Sequence, residues 1–110
     1  MIDLIIKNAK VATASDLFTC DIGIDKEKIV FLENNSSKEA KEVIDAKNQY
    51  VLPGGVDGHC HLDQRTKDGT EMSDNFESGS RSAAFGGTTT VMPFAIQFKG
   101  ESLREVIDEY

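Results

Sequence analysis

The sequence predicts an α/β fold whose first half is rich in β-strands, and two observations carry this prediction. Before Pro53, short runs of β-branched and aromatic residues alternate with polar turns, as in a small β-sheet. After Pro53-Gly54-Gly55, strand-like runs alternate with helical patterns, which is typical of parallel βα units. We therefore interpret residues 1–52 and 53–110 as parts of two different domains.

Composition indicates a globular chain of modest size. The 110 residues include 12 basic and 19 acidic side chains, which gives a net charge of −7, and Leu, Ile, Val and Phe make up a quarter of the chain. That share exceeds the roughly one-fifth below which charged chains tend to be disordered. The acidic excess argues against binding to nucleic acid or to an anionic membrane. No apolar run approaches the ~20 residues that a membrane-spanning helix needs.

Two features predict a cytoplasmic protein. The N-terminus lacks the basic start and the apolar core of a signal peptide. Cys20 and Cys60 are too few to form a disulfide framework, so we expect both thiols to be free.

The first segment reads as a series of short strands separated by turns. The predicted strands span, in order, 4–6, 11–13, 18–24, 29–32, 43–44 and 50–52. Residues 7–10 are predicted to close a hairpin between the first two strands, and 25–28 form a charged turn. Residues 33–41 read as an exposed loop, and 46–48 read as a turn. This spacing favours a small antiparallel sheet or half of a β-sandwich.

The second segment begins with a predicted buried strand over residues 56–62. Asp74 and Glu77 have the spacing of an N-cap residue and its reciprocal partner, so we predict a helix from there to Phe85. Gly86-Gly87 is the usual signal for the end of a helix. The β-branched run 88–94 then predicts a second strand.

A second capping box, Ser102 with Glu105, predicts a further helix near the end of the chain. Its apolar residues follow helical spacing on one face: Leu103, Val106, Ile107 and Tyr110. This apolar stripe continues to the last residue of the sequence. Two βα units cannot close a parallel sheet, and a βα barrel takes about 250 residues. We therefore expect the chain to be the front part of a larger enzyme.

The two histidines of the chain, His59 and His61, form a His-x-His pair on the predicted strand. Residues i and i+2 of a strand point to the same face about 7 Å apart, and neutral imidazoles are favoured zinc ligands. The pair therefore predicts a metal site, with two structural histidines as the alternative. Asp57 could orient a ligand or fix the preceding turn. Cys60 faces the other way and should pack as a small hydrophobe.

Several motifs resemble one enzyme superfamily. Residues 51–61, Val-Leu-Pro-Gly-Gly-Val-Asp-Gly-His-Cys-His, resemble the signature of the first barrel strand in the amidohydrolase superfamily. Residues 3–8, 83–90 and 94–103 resemble its cyclic amidohydrolase branch, the dihydropyrimidinases and hydantoinases. The resemblance covers essentially the whole chain in order.

The resemblance implies the N-terminal part of a small β-sandwich followed by the first two βα units of a (β/α)8 barrel of the TIM type. It also implies a centre with two zinc ions per subunit. A hydroxide that bridges the metals attacks a small cyclic amide, a dihydropyrimidine or a hydantoin. His59 and His61 would be the strand ligands of the more buried metal. The full enzyme is expected to be a homo-oligomer, a tetramer.

The remaining metal ligands of the family come from later strands: a carboxylated lysine, two histidines and an aspartate. Two imidazoles alone leave a tetrahedral zinc shell incomplete. We therefore expect the 110-residue chain to bind little or no metal and to have no hydrolase activity, and we assign no catalytic residue within it.

The substrate-binding residues stay unassigned at this stage. Loops 62–73 and 96–100 would line the substrate pocket, but the first carries charged and polar residues, and we expect it to be solvated and mobile. These residues are Asp63, Gln64, Arg65, Lys67 and Asp68. Phe94 and Phe98 are equally compatible with a pocket and with packing inside a barrel.

Three alternatives remain open. Allantoinases and dihydroorotases share the His-x-His strand. A non-catalytic scaffold of the collapsin-response-mediator kind has the same fold, but such relatives lose metal ligands, and this chain retains both His59 and His61. A β-rich oligomerisation or binding module is the third alternative, and the unfinished stripe ending at Tyr110 argues against it.

Overall fold

The computed structural model describes residues 1–110, which divide into two compact units, Met1–Pro53 and Gly54–Tyr110. The fold is rich in β-strands and contains two helices, as the sequence predicted. The first unit holds strands β1 (Ile2–Ala12), β2 (Leu17–Asp25), β3 (Lys28–Glu33), β4 (Ala40–Asp45) and β5 (Tyr50–Val51). The second holds β6 (Gly55–Cys60), α1 (Phe76–Phe85), β7 (Thr88–Pro93) and α2 (Leu103–Glu109). Neither helix has the length and apolar character needed to cross a membrane.

The first unit is one mixed sheet with the strand order β3-β2-β1-β4, and β5 also pairs with β1. The pairs β1–β2 and β2–β3 are antiparallel, as predicted. However, β4 and β5 both run parallel to β1, so the prediction of an antiparallel sheet is wrong for these two strands. The sheet buries a small core, which includes Ile5, Ala9, Val11, Cys20, Ile22 and Ala46.

Strand β1 is continuous, so the hairpin predicted at residues 7–10 is wrong. Its polar middle is a bulge, where the pairing with β2 shifts between Ile6 and Ala9. Asn8 adopts the left-handed conformation there, with φ at 55°. Its backbone N–H donates to the buried Asp21 carboxylate at 2.9 Å, which also accepts the N–H of Ser36 at 2.8 Å. The bulge therefore has a specific acceptor in the neighbouring strand.

The turn between β4 and β5 lies beside this bulge. The N–H of Ala46 donates to the carbonyl of Lys7 at 2.8 Å, and the N–H of Asn48 donates to that of Asn8 at 2.9 Å. Beyond the turn, β5 pairs with Lys10 and Val11, further along the same strand. At residues 46–48 the chain turns away from β1 and then continues beside it in the same direction. The turn does not reverse the chain, and this is why the predicted antiparallel direction of β4 and β5 is wrong.

The charged turn between β2 and β3 agrees with the prediction. Lys26 and Glu27 both have positive φ angles, 48° and 63°, as a two-residue type I′ hairpin requires.

The second unit contains the predicted order of strand, helix, strand and helix, and β6 and β7 are parallel neighbours. The prediction that the first of these strands is buried is wrong for this structure, because all residues of β6 except the half-buried Cys60 are exposed. The start of α1 differs from the prediction by one residue. Asn75 is the N-cap, and it exchanges hydrogen bonds with Ser78 instead of the predicted exchange between Asp74 and Glu77. The helix ends at Phe85 with Gly86 as its C-cap, and Gly87 follows with φ at 88°. Both glycines therefore serve the predicted stop.

Helix α2 begins at the predicted capping box of Ser102 and Glu105. Its apolar stripe is only partly covered in this structure. Val106 is buried, whereas Leu103 and Ile107 are 61% and 65% exposed. The hydroxyl of Tyr110 donates to the carbonyl of Leu62 at 2.6 Å.

Candidate functional site

The two histidines lie side by side at the end of β6. His59 is the fifth residue of the strand and His61 follows its last residue. Their ring centroids are 5.2 Å apart and both side chains are exposed. Both rings also contact the ring of Phe94, with centroid distances of 4.9 and 5.6 Å. The structure therefore brings the predicted pair together on one side of the strand.

Phe94 reaches the site because β6 and β7 are parallel and their carboxyl ends meet. The N–H of Phe94 donates to the carbonyl of Cys60 at 2.9 Å, which extends the pairing beyond β7. The Phe94 ring stacks on His59 with an interplanar angle of 10°. Phe94 thus packs against the candidate ligands. It follows directly after a strand that is parallel to β6, and this position in the sequence could have predicted that it lies at the site.

Gln64 makes the hydrogen bond to the second imidazole. Its Oε1 lies 2.9 Å from Nδ1 of His61, and its Nε2 donates to the carbonyl of Phe94 at 2.6 Å. The sequence predicted Gln64 only as part of a solvated loop, and this contact was not predicted. Nothing in the local sequence reveals it, because the third partner lies 30 residues away.

Asp57 and Cys60, which lie close to His59 in the sequence, have other roles. Oδ1 of Asp57 accepts the backbone N–H of His59 at 3.1 Å, so this carboxylate stabilises the strand backbone and makes no hydrogen bond to an imidazole ring. Cys60 is a free, half-buried thiol. Within the 110 residues, no third His, Cys, Asp or Glu joins His61 and His59 in a group that could hold a metal.

The loop after β6 is held in place more firmly than its composition suggested. The Arg65 guanidinium donates to Glu101 at 2.5 Å, to Glu109 at 3.1 Å and to the carbonyl of Ile96 at 3.3 Å. Its Cζ lies 5.2 Å from the centroid of the Phe98 ring. The expectation of a solvated side chain fails only for Gln64, which is partly buried, whereas the other four named residues are exposed as expected: Asp63, Arg65, Lys67 and Asp68.

Two titratable groups around this loop have shifted pKa values. Hydrogen bonds from the hydroxyl and the N–H of Thr70 lower the pKa of the Asp68 carboxyl. Burial, together with the nearby Cys60 and Asp63, raises the pKa of the Tyr110 hydroxyl. The same loop and the first turn of α1 enclose an open cleft of about 640 Å³, which includes Gln64 and Arg65 in its lining.

The geometry of the imidazole pair fits a shared metal ion. Two imidazole nitrogens bound to one tetrahedral zinc ion, at about 2.0–2.1 Å each, place their ring centroids about 5 Å apart. The observed separation of 5.2 Å matches this value. His61 is hydrogen-bonded through Nδ1, and a metal-binding histidine usually makes a hydrogen bond of this kind through the ring nitrogen that is not the ligand. These two side chains can therefore supply two ligands to one ion.

Comparison with known proteins identifies relatives of this chain. No family model matches it. A D-hydantoinase from Geobacillus stearothermophilus is 44% identical over 106 residues, which cover 96% of this chain. The chain is homologous to the D-hydantoinases and dihydropyrimidinases. This finding confirms the resemblance drawn from the sequence motifs.

Solved structures of the same two groups share the fold. A crystal structure of a D-hydantoinase superposes with a TM-score of 0.90 at 45% identity, over 99% of this chain and 23% of that one. The dihydropyrimidinase from Brevibacillus agri NCHU1002 gives a TM-score of 0.89 at 46% identity, over 99% and 23% of the two chains. This chain spans only 22% of the length of the Geobacillus D-hydantoinase, less than a quarter of a protein of that kind.

Proposed function

We propose that this chain is the N-terminal part of a metal-dependent hydrolase that opens the cyclic amide of dihydropyrimidines or hydantoins. The observation that carries the proposal is the paired exposure of His59 and His61, with ring centroids 5.2 Å apart, in a chain homologous to D-hydantoinases. A small cyclic amide is the corresponding substrate class, because the relatives are named for hydantoin and dihydropyrimidine.

The two units would belong to different domains of that enzyme. Residues 1–52 would form part of a small β-sandwich, and residues 53–110 would supply the first two βα units of a (β/α)8 barrel. The parallel pairing of β6 and β7 around α1 supports the second assignment. His59 and His61 lie at the carboxyl end of β6, where barrel enzymes of this type keep their active sites.

His59 and His61 would hold the metal, and ligands from outside these 110 residues would complete its shell. When bound, such a metal supplies a water nucleophile at neutral pH by lowering the pKa of that water. A centre of two zinc ions per subunit and a tetrameric assembly belong to the same proposal and rest on the family resemblance. The cytoplasmic location stays a prediction from the sequence.

This chain's own contribution is to bind and to orient. The stacked Phe94 ring covers one face of the His59 imidazole and limits its rotation. His61 is held through its hydrogen bond to Gln64. Each imidazole must be neutral to bind the metal.

The proposal is tested by replacing each ligand in the intact protein. His59→Ala and His61→Ala should each lower the metal content per subunit, measured by elemental analysis. Each variant should lose more metal affinity than the 10–100-fold that is typical when a hydrogen-bond partner of a metal ligand is removed. Hydrolysis of dihydrouracil and of a hydantoin, followed in parallel, should fall with the metal. Cys60→Ser is the matched control and should leave both nearly unchanged.

Two outcomes would overturn the proposal. Full metal content and full activity in both histidine variants would show that these are structural histidines. A wild-type protein that binds no metal and hydrolyses neither substrate would instead favour a non-catalytic scaffold.

A further inference from the structure

We propose that Gln64 is a positioning residue that holds the proton of neutral His61 on Nδ1 and thereby presents the Nε2 lone pair to a metal. The proton assignment stands on the hydrogen-bond geometry alone. Its consequence for metal binding rests on the proposed function.

The carbonyl oxygen of Phe94 can only accept a hydrogen bond. The Gln64 side chain lies 2.6 Å from this oxygen, so the group facing it must be the amide NH₂. The orientation of a carboxamide is properly assigned from its hydrogen-bond partners. A reversed carboxamide would place two oxygens against each other, so the acceptor on Phe94 fixes the direction of Gln64.

The orientation of Gln64 then fixes the proton on the histidine. With its NH₂ group on Phe94, the carboxamide oxygen faces Nδ1 of His61 at 2.9 Å. Two acceptors cannot form a hydrogen bond, so Nδ1 must carry the proton. A neutral imidazole has one N–H, and Nε2 is consequently left with its lone pair free.

The framework behind this contact comes from both strands of the second unit. The N–H of Phe94 is bonded to the carbonyl of Cys60, so the Phe94 carbonyl is fixed next to the end of β6. Gln64 is itself partly buried, which restricts its rotamers. His59 provides an internal comparison, because its ring stacks on Phe94 but makes no hydrogen bond to a side chain or backbone group.

The experiment measures the tautomer directly in the intact protein. The metal is removed with a chelator, and ¹⁵N spectra of histidine-labelled protein are recorded about two units above the ordinary His pKa of about 6.5. The His61 signals are assigned by comparison with His61→Asn. We expect His61 to be protonated on Nδ1 in the wild type. Gln64→Met should shift the proton towards Nε2, the form that an unconstrained imidazole favours in water.

Two further variants separate positioning from packing. Gln64→Glu keeps an acceptor for Nδ1 and should retain the Nδ1–H form, even though it loses the donor to Phe94. Gln97→Met makes the same substitution in a glutamine that bonds the carbonyl of Glu101, and it should leave the tautomer unchanged. If Gln64→Met does not fold, the wild-type tautomer and the Gln64→Glu variant still decide the question.

A second measurement is zinc affinity by competition with a chelator. Gln64→Met should weaken zinc binding 10–100-fold, the range typical for the loss of a hydrogen-bond partner of a metal-binding histidine. Gln64→Glu should restore most of the affinity, and Gln97→Met should bind zinc like the wild type.

The results distinguish this proposal from the proposed function. A wild-type His61 protonated on Nε2, or an unchanged tautomer in Gln64→Met, overturns the positioning role even if His61→Ala abolishes metal binding. If the tautomers behave as expected but the wild-type protein neither binds zinc nor hydrolyses cyclic amides, the proposed function fails and the role of Gln64 in fixing the proton stands.

Discussion

The aromatic ring of Phe31 lies against the backbone of Gly23, its partner in the pairing of β2 with β3. A Cβ atom at Gly23 would lie only 2.0 Å from Cε1 of Phe31 and 2.4 Å from Cδ1. The ammonium group of Lys38 lies 4.5 Å from the centroid of the same ring. The glycine therefore leaves the space that the ring occupies.

Replacing Gly23 should destabilise the first unit. We expect Gly23→Ala to cost about 1–3 kcal/mol in the free energy of unfolding, because the ring must move out of its place. Thermal and urea unfolding measure this loss. Gly58→Ala is the control, since an added Cβ there meets nothing within 4 Å. In the double variant with Phe31→Ala, the cost of Gly23→Ala should largely disappear, and an equal cost in both backgrounds would contradict the contact.

The pKa of the Asp45 carboxyl should depend on Asn8, the residue at the bulge in β1. The Nδ2 of Asn8 donates to Asp45 Oδ1 at 2.9 Å, and this bond, with the N–H of Lys47, lowers the pKa of Asp45. Since the folded pKa lies below the unfolded one, the stabilisation is present above about pH 3.9 and is lost as pH falls through the folded pKa.

Asn8→Gly isolates this effect, because glycine readily adopts the φ of 55° but lacks the side-chain donor. We expect the pKa of Asp45, measured by NMR titration of its carboxyl carbon, to rise towards its ordinary value. The loss of stability on acidification should become less steep near pH 4. An unchanged pKa would show that the Asn8 side chain does not bind Asp45 in solution.

Arg65 should control the local order of the loop after β6. Its ion pairs with Glu101 and Glu109 are partly exposed, so Arg65→Ala should cost about 1 kcal/mol or less in global stability. Amide hydrogen exchange of residues 63–73 should nevertheless become several-fold faster. Arg81→Ala removes the same charge from α1, where the arginine makes no ion pair, and should not change the exchange. High salt should bring the wild type closer to Arg65→Ala.

The 110-residue chain by itself should self-associate. Large apolar side chains of the second unit are exposed, among them Phe85 at 86% and Ile107 at 65%. We expect these exposed apolar side chains to promote association. Light scattering coupled to gel filtration should show oligomers, and Phe85→Lys with Ile107→Lys should shift them towards monomer. Ser80→Lys is the control for charge, and a monomeric wild-type chain with a sharp thermal transition would contradict the prediction.

Local signals in the sequence predicted the elements well and their pairing less well. The capping box at Ser102 and the stop at Gly86-Gly87 depend on neighbouring residues only, and the structure has both. The bulge at Asn8 depends on Asp21, which lies 13 residues away, so the polar run 7–10 looked like a turn. The parallel direction of β4 likewise depends on its pairing with β1, which is distant in the sequence.

In the candidate site, too, local signals in the sequence predicted the positions of residues, and contacts between residues distant in the sequence were not predicted. The period of two along a strand was enough to place His59 and His61 on one side. The contacts that hold them come from Phe94 and Gln64, and both depend on how the ends of β6 and β7 meet. No pattern within a window of a few residues contains that information.

The position of β1 between β2 and β4 has a consequence for synthesis on the ribosome. The β1–β2–β3 meander involves only neighbouring strands and can close early, whereas β4 and β5 must return to β1 from about 40 residues away. Until they arrive, one side of β1 has unpaired backbone groups, which can template pairing with another chain. At about 5–20 residues per second, translation from the end of β3 to the end of β5 takes roughly 1–4 s. A translational pause after β3 has left the ribosome and before β5 has done so would lengthen the time during which nascent chains can pair with one another.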